Sequence, residues 1–149
     1  NLLDQHDPKR RDGMELRLEA WRTHLLSLMR IVTGVLFMQH GGQKIFGFPA
    51  PQRYEFDLFS MSGIAGSLEL FGGFLVVIGL FTRPTAFLLS GLMAFAYFIA
   101  HAPQNFWPIL NGGELAAMFC FVFLYFTAAG GGKWSADYLR SKKRSNSNV

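Results

Sequence analysis

Apolar residues in this chain gather into four runs, at about 25 to 46, 62 to 81, 84 to 101 and 114 to 130, parted by short stretches rich in Gly, Pro and charge. Each run holds roughly 17 to 22 residues, enough at 1.5 Å per residue to cross a hydrocarbon core of ~30 Å. The pattern predicts an all-α integral membrane protein, a bundle of four transmembrane helices with amphipathic or basic cytoplasmic segments at both ends. The first run departs from a lipid-facing helix in an informative way. Its stretch RIVTGVLFMQHGGQKIFGF carries Arg30, His40 and Lys44. At 100° per residue, Arg30, Gly34, Phe37, Gly41 and Lys44 fall within about 80° of one another, with His40 just outside that stripe. Ile31, Val35, Leu36 and Met38 occupy the opposite face and suit lipid. A spanning helix turns costly ionisable groups toward protein in this way, so the first helix asks for partner helices.

The flanks and loops follow from the same pattern. Residues 1 to 24 read as a cytoplasmic arm, with polar residues up to Arg11 and then an interfacial helix. In that helix Asp12 is a possible N-cap and Met14, Leu18, Trp21 and Leu25 share helical spacing. Residues 25 to 134 form the membrane domain, and 135 to 149 a basic cytoplasmic tail with a short surface helix capped by Ser135. In the second run Ser62, Gly66, Glu69 and Gly73 share one face, small residues around a single carboxylate. Pro84 is placed at the first position of the third helix after a tight Thr82–Arg83 turn, and Asn111 to Glu114 has capping-box spacing before the fourth.

Half of the 149 residues are hydrophobic and only 16% are charged, which agrees with membrane insertion. The net charge of +4 changes the picture only through its placement. Lys9, Arg10, Arg11, Arg17, Arg22, Arg83, Lys133, Arg140, Lys142, Lys143 and Arg144 would share one side if four spans alternate, which is 11 of the 14 Lys and Arg. The positive-inside rule then puts both termini of a multi-pass membrane protein in the cytoplasm, with the basic tail drawn to anionic lipid. Nucleic-acid binding has neither a fold nor an aromatic pattern to support it. Cys120 stands alone and can form no intrachain disulfide. About two dozen polar residues precede the first run and no small-x-small site follows it, so no signal peptide is expected.

Converting sequence position to depth gathers the candidate chemistry. His40 and Lys44 lie in the outer third of the first helix and Glu69 about 10 Å inside the outer end of the second. His101 and Glu114 stand at the outer ends of the third and fourth. The five form a candidate polar cluster in the outer half of the bundle. Each also has a plainer reading, Lys44 snorkelling outward, Glu114 as a helix cap and His101 as an interfacial histidine. Glu69 must be protonated or paired, with Lys44 or His40 the partner nearest in depth. Arg30, five residues in from the cytoplasmic end, is a possible ionic residue of that side or a snorkelling one. No HExxH, Cys/His cluster, P-loop or G-x-S-x-G occurs, so no catalytic or metal-ligating set is expected. Haem ligation by His40 and His101 has no motif behind it.

Six elements in order then resemble the DoxX family of small four-helix bacterial membrane proteins. They are Arg30 opening the first helix, G-x-x-K from Gly41 to Lys44, and E-L-x-G-G from Glu69 to Gly73. G-L-x-T-R from Gly79 to Arg83, N-G-G-E from Asn111 to Glu114, and G-G-G-K-W-S-x-D from Gly130 to Asp137 complete the set. The similarity covers about 25 to 140, and Gly131 departs from the usual G-P-G ending. What the resemblance implies is association with quinone-linked or other membrane redox complexes. It carries over no catalytic residues.

Three functions compete. The first is an accessory subunit of a redox membrane complex, structural or shaping a quinone environment, with other membrane subunits as partners. For a quinone, the one cofactor considered, Phe37, Phe71, Phe74 and Phe98 are candidate walls and His40, Lys44 and His101 candidate donors. The second is a purely structural interaction subunit at the edge of a larger complex. The third is a small transporter or proton relay through Glu69, His40 and Lys44.

Overall fold

A computed structural model describes residues 8–51 and 57–147, with the side chains of 8–12, 14 and 17 left aside. Among the described residues the secondary structure is helical throughout. The helices are α1 (Pro8–Phe46), α2 (Met61–Ile78), α3 (Thr82–Ala96), α4 (Pro108–Asn111), α5 (Glu114–Ala129) and α6 (Ala136–Asn146). A π-helical turn, Tyr97–His101, continues α3. By length and composition, two helices can cross a membrane, Met61–Ile78 and Thr82–His101. Glu114–Ala129 is apolar but has 16 residues. In α1, Arg30, Gln39, His40, Gln43 and Lys44 interrupt the apolar run and lower its mean hydropathy.

Helix ends follow local chemistry. The Ser60 side chain caps α2 at Gly63 N, and Gly79, at φ 67°, ends it in the left-handed conformation that glycine adopts without steric cost. Three expectations need correction. Asp12 lies inside α1, which already runs through Pro8, four residues earlier. The described part of the arm and the first run form one 39-residue helix. α3 begins at Thr82, two residues before Pro84. Asn111 closes α4 instead of capping α5: its Oδ1 accepts from Gly113 N at 2.7 Å, and Glu114 is the first residue of α5. The left-handed Gly112, φ 68°, makes that turn too tight for a capping box. The expected polar arm and basic tail partly lie outside the described residues, at 1–7 and 148–149, as does 52–56 of the first loop.

Four long helices pack around one core. α1 lies antiparallel on α2, Gly34 meeting Gly73 and Val77 while Gly41 meets Gly66 and Leu70. A Cβ at Gly41 would lie 2.5 Å from Leu70 N and 2.6 Å from Gly66 O, so only glycine allows this approach. Gly72 of α2 receives Leu89 of α3, and Ser90 of α3 donates to Cys120 O of α5 at 2.9 Å. Phe37 of α1 closes the ring, edge-on to Phe119 and Phe123 of α5 with centroids 5.1 and 4.8 Å away. On α1 the predicted inner stripe is inside: Arg30, Gly34, Phe37 and Gly41 are buried and Lys44 half-buried, while Val35 and Leu36 are exposed.

Candidate functional site

The bundle has polar constructions at both ends. At the end holding both described chain ends, Arg30 is fully buried and its guanidinium is enclosed by backbone carbonyls. Nε donates to Gly131 O at 2.8 Å and Nη2 to Trp134 O at 2.7 Å. Nη1 donates to Val76 O and to Val77 O, the latter at 2.5 Å. Val76 and Val77 stand in the last turn of α2, where the helix runs out of i+4 donors and its dipole favours a cation; Val76 O also accepts from Gly79 N at 3.1 Å. Arg30 therefore does not snorkel; it closes α2 and binds the segment after α5.

The same end is tied together by 130–137. Ser27 Oγ accepts from Trp134 N at 3.1 Å, and Ser135 caps α6 at Tyr138 N. Asp137 reaches to the start of α3, its two oxygens accepting from Phe81 N at 2.9 Å and Thr82 N at 2.8 Å. Burial pushes the Asp137 carboxyl up. The hydrogen bonds from Thr82 and Phe81, with Arg140 nearby, outweigh that and hold it below the ordinary carboxylate value. Arg83 donates to Thr127 O and Ala128 O at the end of α5. Sequence reading noted the G-L-x-T-R and G-G-G-K-W-S-x-D motifs but not that they lock together. The signal available was the polar Ser135 and Asp137 two residues apart just after a helix-ending glycine run.

At the other end Lys44 Nζ lies 2.5 Å from Glu69 Oε1. The Glu69 side chain is only 4% exposed and that of Lys44 35%. Gly66, one turn before Glu69, makes room for the Lys44 stem. Glu69 Oε2 is buried and has no hydrogen-bond partner among the described residues. His40, four residues before Lys44 on the same helix, is half-buried with its ring edge-on to Phe119 at 6.0 Å. The remaining candidates lie elsewhere. His101 Nδ1 is 3.0 Å from Asn111 O, beside Tyr97, whose hydroxyl donates to Phe106 O. Glu114 is exposed in the first turn of α5, where a carboxylate suits the helix dipole. The five residues thus divide into a Lys44–Glu69 pair one helical turn from His40 on α1, a His101–Asn111 contact between α3 and α4, and a separate Glu114.

The groups considered for a quinone do not fit one cleft. Phe37 is 1% exposed in the core, whereas Phe71 and Phe98 are 67% and 63% exposed on the outer surface. Phe74 also points outward, Lys44 is held by Glu69, and His101 by the Asn111 backbone.

Apolar helices with ionisable groups satisfied inside and large apolar side chains outside define a small helical membrane protein. The DoxX family profile matches residues 25–102, and the chain belongs to that family. An uncharacterised protein of Haemophilus influenzae is 39% identical over 140 residues, covering 85% of this chain and 98% of its own length. No solved structure matches.

Proposed function

We propose that this protein is a four-span integral protein of the bacterial cytoplasmic membrane, with both termini cytoplasmic. It serves there as a non-catalytic accessory subunit of a larger assembly, of the quinone-linked redox kind that family membership suggests. Its part in that assembly is structural. The observation that carries this reading is the division of labour between inside and outside. Arg30 and Glu69 spend their charges on the chain's own carbonyls and on Lys44. Phe71, Phe87, Phe98 and Phe121 face outward as packing surface for lipid and neighbouring subunits. A second reading, a proton relay, rests on one observation, a buried Glu69 Oε2 with no hydrogen-bond partner among the described residues.

The test is purification from native membranes in mild detergent, with and without this subunit, followed by partner identification, quinol turnover and bound-quinone measurement. Altered assembly with unchanged turnover per intact complex and unchanged quinone supports the structural role. Loss of quinone from an otherwise intact complex moves the role to the quinone site, and migration without partners overturns both. For topology, a Cys120→Ser background with Ser147→Cys should resist labelling from outside while Gln104→Cys reacts. The reverse pattern removes the proposed orientation.

A further inference from the structure

Phe81 is the one described non-glycine residue with a left-handed backbone, at φ 51° and ψ 40°. An L-residue reaches this region only at a cost that glycine avoids, and such strain persists where the surroundings impose it. Here Asp137 imposes it through the hydrogen bonds to Phe81 N and Thr82 N. Burial of the ring does not offset the cost, because Phe81 is 55% exposed. The ring instead lies under Arg140, whose Cζ stands 5.3 Å from its centroid.

Arg144 follows Arg140 by four residues and shares its face of α6. With Phe81, Asp137 and Ser141 the two arginines line a surface cavity of about 400 Å³. A second cavity of about 640 Å³ shares Phe81, Asp137 and Ser141 and adds Arg83 and Lys133. Four cations therefore line the two cavities that share the Asp137 carboxylate, and both oxygens of that carboxylate are engaged by the α3 backbone. Arg140, Arg144 and Lys133 make no ion pair among the described residues. Trp134 and Leu139, both exposed, add apolar surface at the same end of the molecule.

We propose that the Phe81–Arg140–Arg144 corner binds the phosphate of an anionic phospholipid of the cytoplasmic leaflet. Arginine forks match phosphate geometry, and the strained ring holds one of them in place. The exposed apolar side chains favour a lipid over a free phosphate, since a soluble anion has no use for them. This inference rests on the proposed orientation, which cysteine labelling tests separately from lipid binding.

The experiment reconstitutes the full chain in nanodiscs of phosphatidylcholine with and without phosphatidylglycerol, then measures co-purifying lipid by native mass spectrometry. The wild type should retain phosphatidylglycerol preferentially. Arg140→Gln with Arg144→Gln should lose about fivefold in retention per charge, while Lys142→Gln with Lys143→Gln, on the same helix, should lose far less. Phe81→Gly relaxes the backbone, so it should match or exceed the wild type in thermal stability yet retain less of the anionic lipid. Equal losses in the two double variants would reduce the site to diffuse charge and overturn the proposal. So would absence of a phosphatidylglycerol preference, or full displacement of the lipid by millimolar inorganic phosphate.

Discussion

Lys44 and Glu69 meet at 2.5 Å across the α1–α2 interface, and only one carboxylate oxygen takes part. The contact depends on Gly66, which leaves space for the Lys44 stem beside α2. Glycine spacing and ion pair are thus one feature: the helices approach closely enough for a lysine to reach a carboxylate buried on the inner face.

Removing one member of this pair should cost more than removing both. Glu69→Leu removes the buried carboxylate that Lys44 reaches and should destabilise by about 3 kcal/mol, the low end for a broken buried pair because Lys44 is partly exposed. Glu69→Gln keeps a hydrogen-bond acceptor and should cost less. Lys44→Met combined with Glu69→Leu should recover much of the loss. Thermal unfolding in detergent across this double-mutant cycle checks it; additive losses would show that the pair is not coupled.

Arg30 should tolerate even lysine poorly. An ammonium is a compact point charge with three donors, and it cannot span carbonyls on two chain segments as the planar guanidinium does. Arg30→Lys should cost about 1 to 3 kcal/mol per carbonyl left without a donor, and Arg30→Met more. Proteolysis at the 130–134 segment should rise in parallel, since Gly131 and Trp134 lose their tether. Unfolding temperature and cleavage rate in micelles measure both.

The inner face of α1 was legible because its signal is local. Arg30, Gly34, Phe37, Gly41 and Lys44 share a stripe by the 3.6-residue period alone, and polar or small side chains on an apolar helix point to protein. Glu69 was legible for the same reason. What Arg30 binds was not, because its acceptors are main-chain carbonyls up to 104 residues away that carry no side-chain pattern. Asp137 was hidden similarly: its S-x-D motif marks the start of α6, yet the carboxylate caps α3, 55 residues earlier in the chain. The outer cluster was overdrawn because equal depth does not fix azimuth. His101 and Glu114 belong to the same expected depth as Lys44, but one turns to Asn111 and the other to the exposed surface.

Gly41 and Gly91 make a matched test of helix approach. Gly41→Ala puts a methyl group against the α2 backbone at Leu70 and Gly66, and backbone cannot step aside as a side chain can. The helices must separate, at about 1 to 3 kcal/mol. Gly91, in α3, has nothing within 4 Å of its would-be Cβ. Gly91→Ala should therefore be neutral or gain about 0.4 to 1 kcal/mol by restricting the unfolded chain. Equal unfolding temperatures for the two variants would contradict the close α1–α2 packing.

Asp137 makes the stability of the α3–α6 junction depend on pH. Its carboxyl is held below the ordinary value in the folded protein, so the ionised form is the one folding favours. Stability from this group is complete above the ordinary Asp pKa of about 3.9 and is lost as pH falls through the lower folded value. Asp137→Asn keeps an oxygen that accepts one of the two backbone hydrogen bonds but carries no charge. The variant should be less stable than the wild type at neutral pH, and the gap should close on acidification. Unfolding temperatures of both proteins, followed from about pH 6 to pH 3, isolate the effect, because every other carboxylate is common to the pair. A gap that stays constant over the range would mean that the Asp137 charge contributes nothing and that the cap acts through geometry alone.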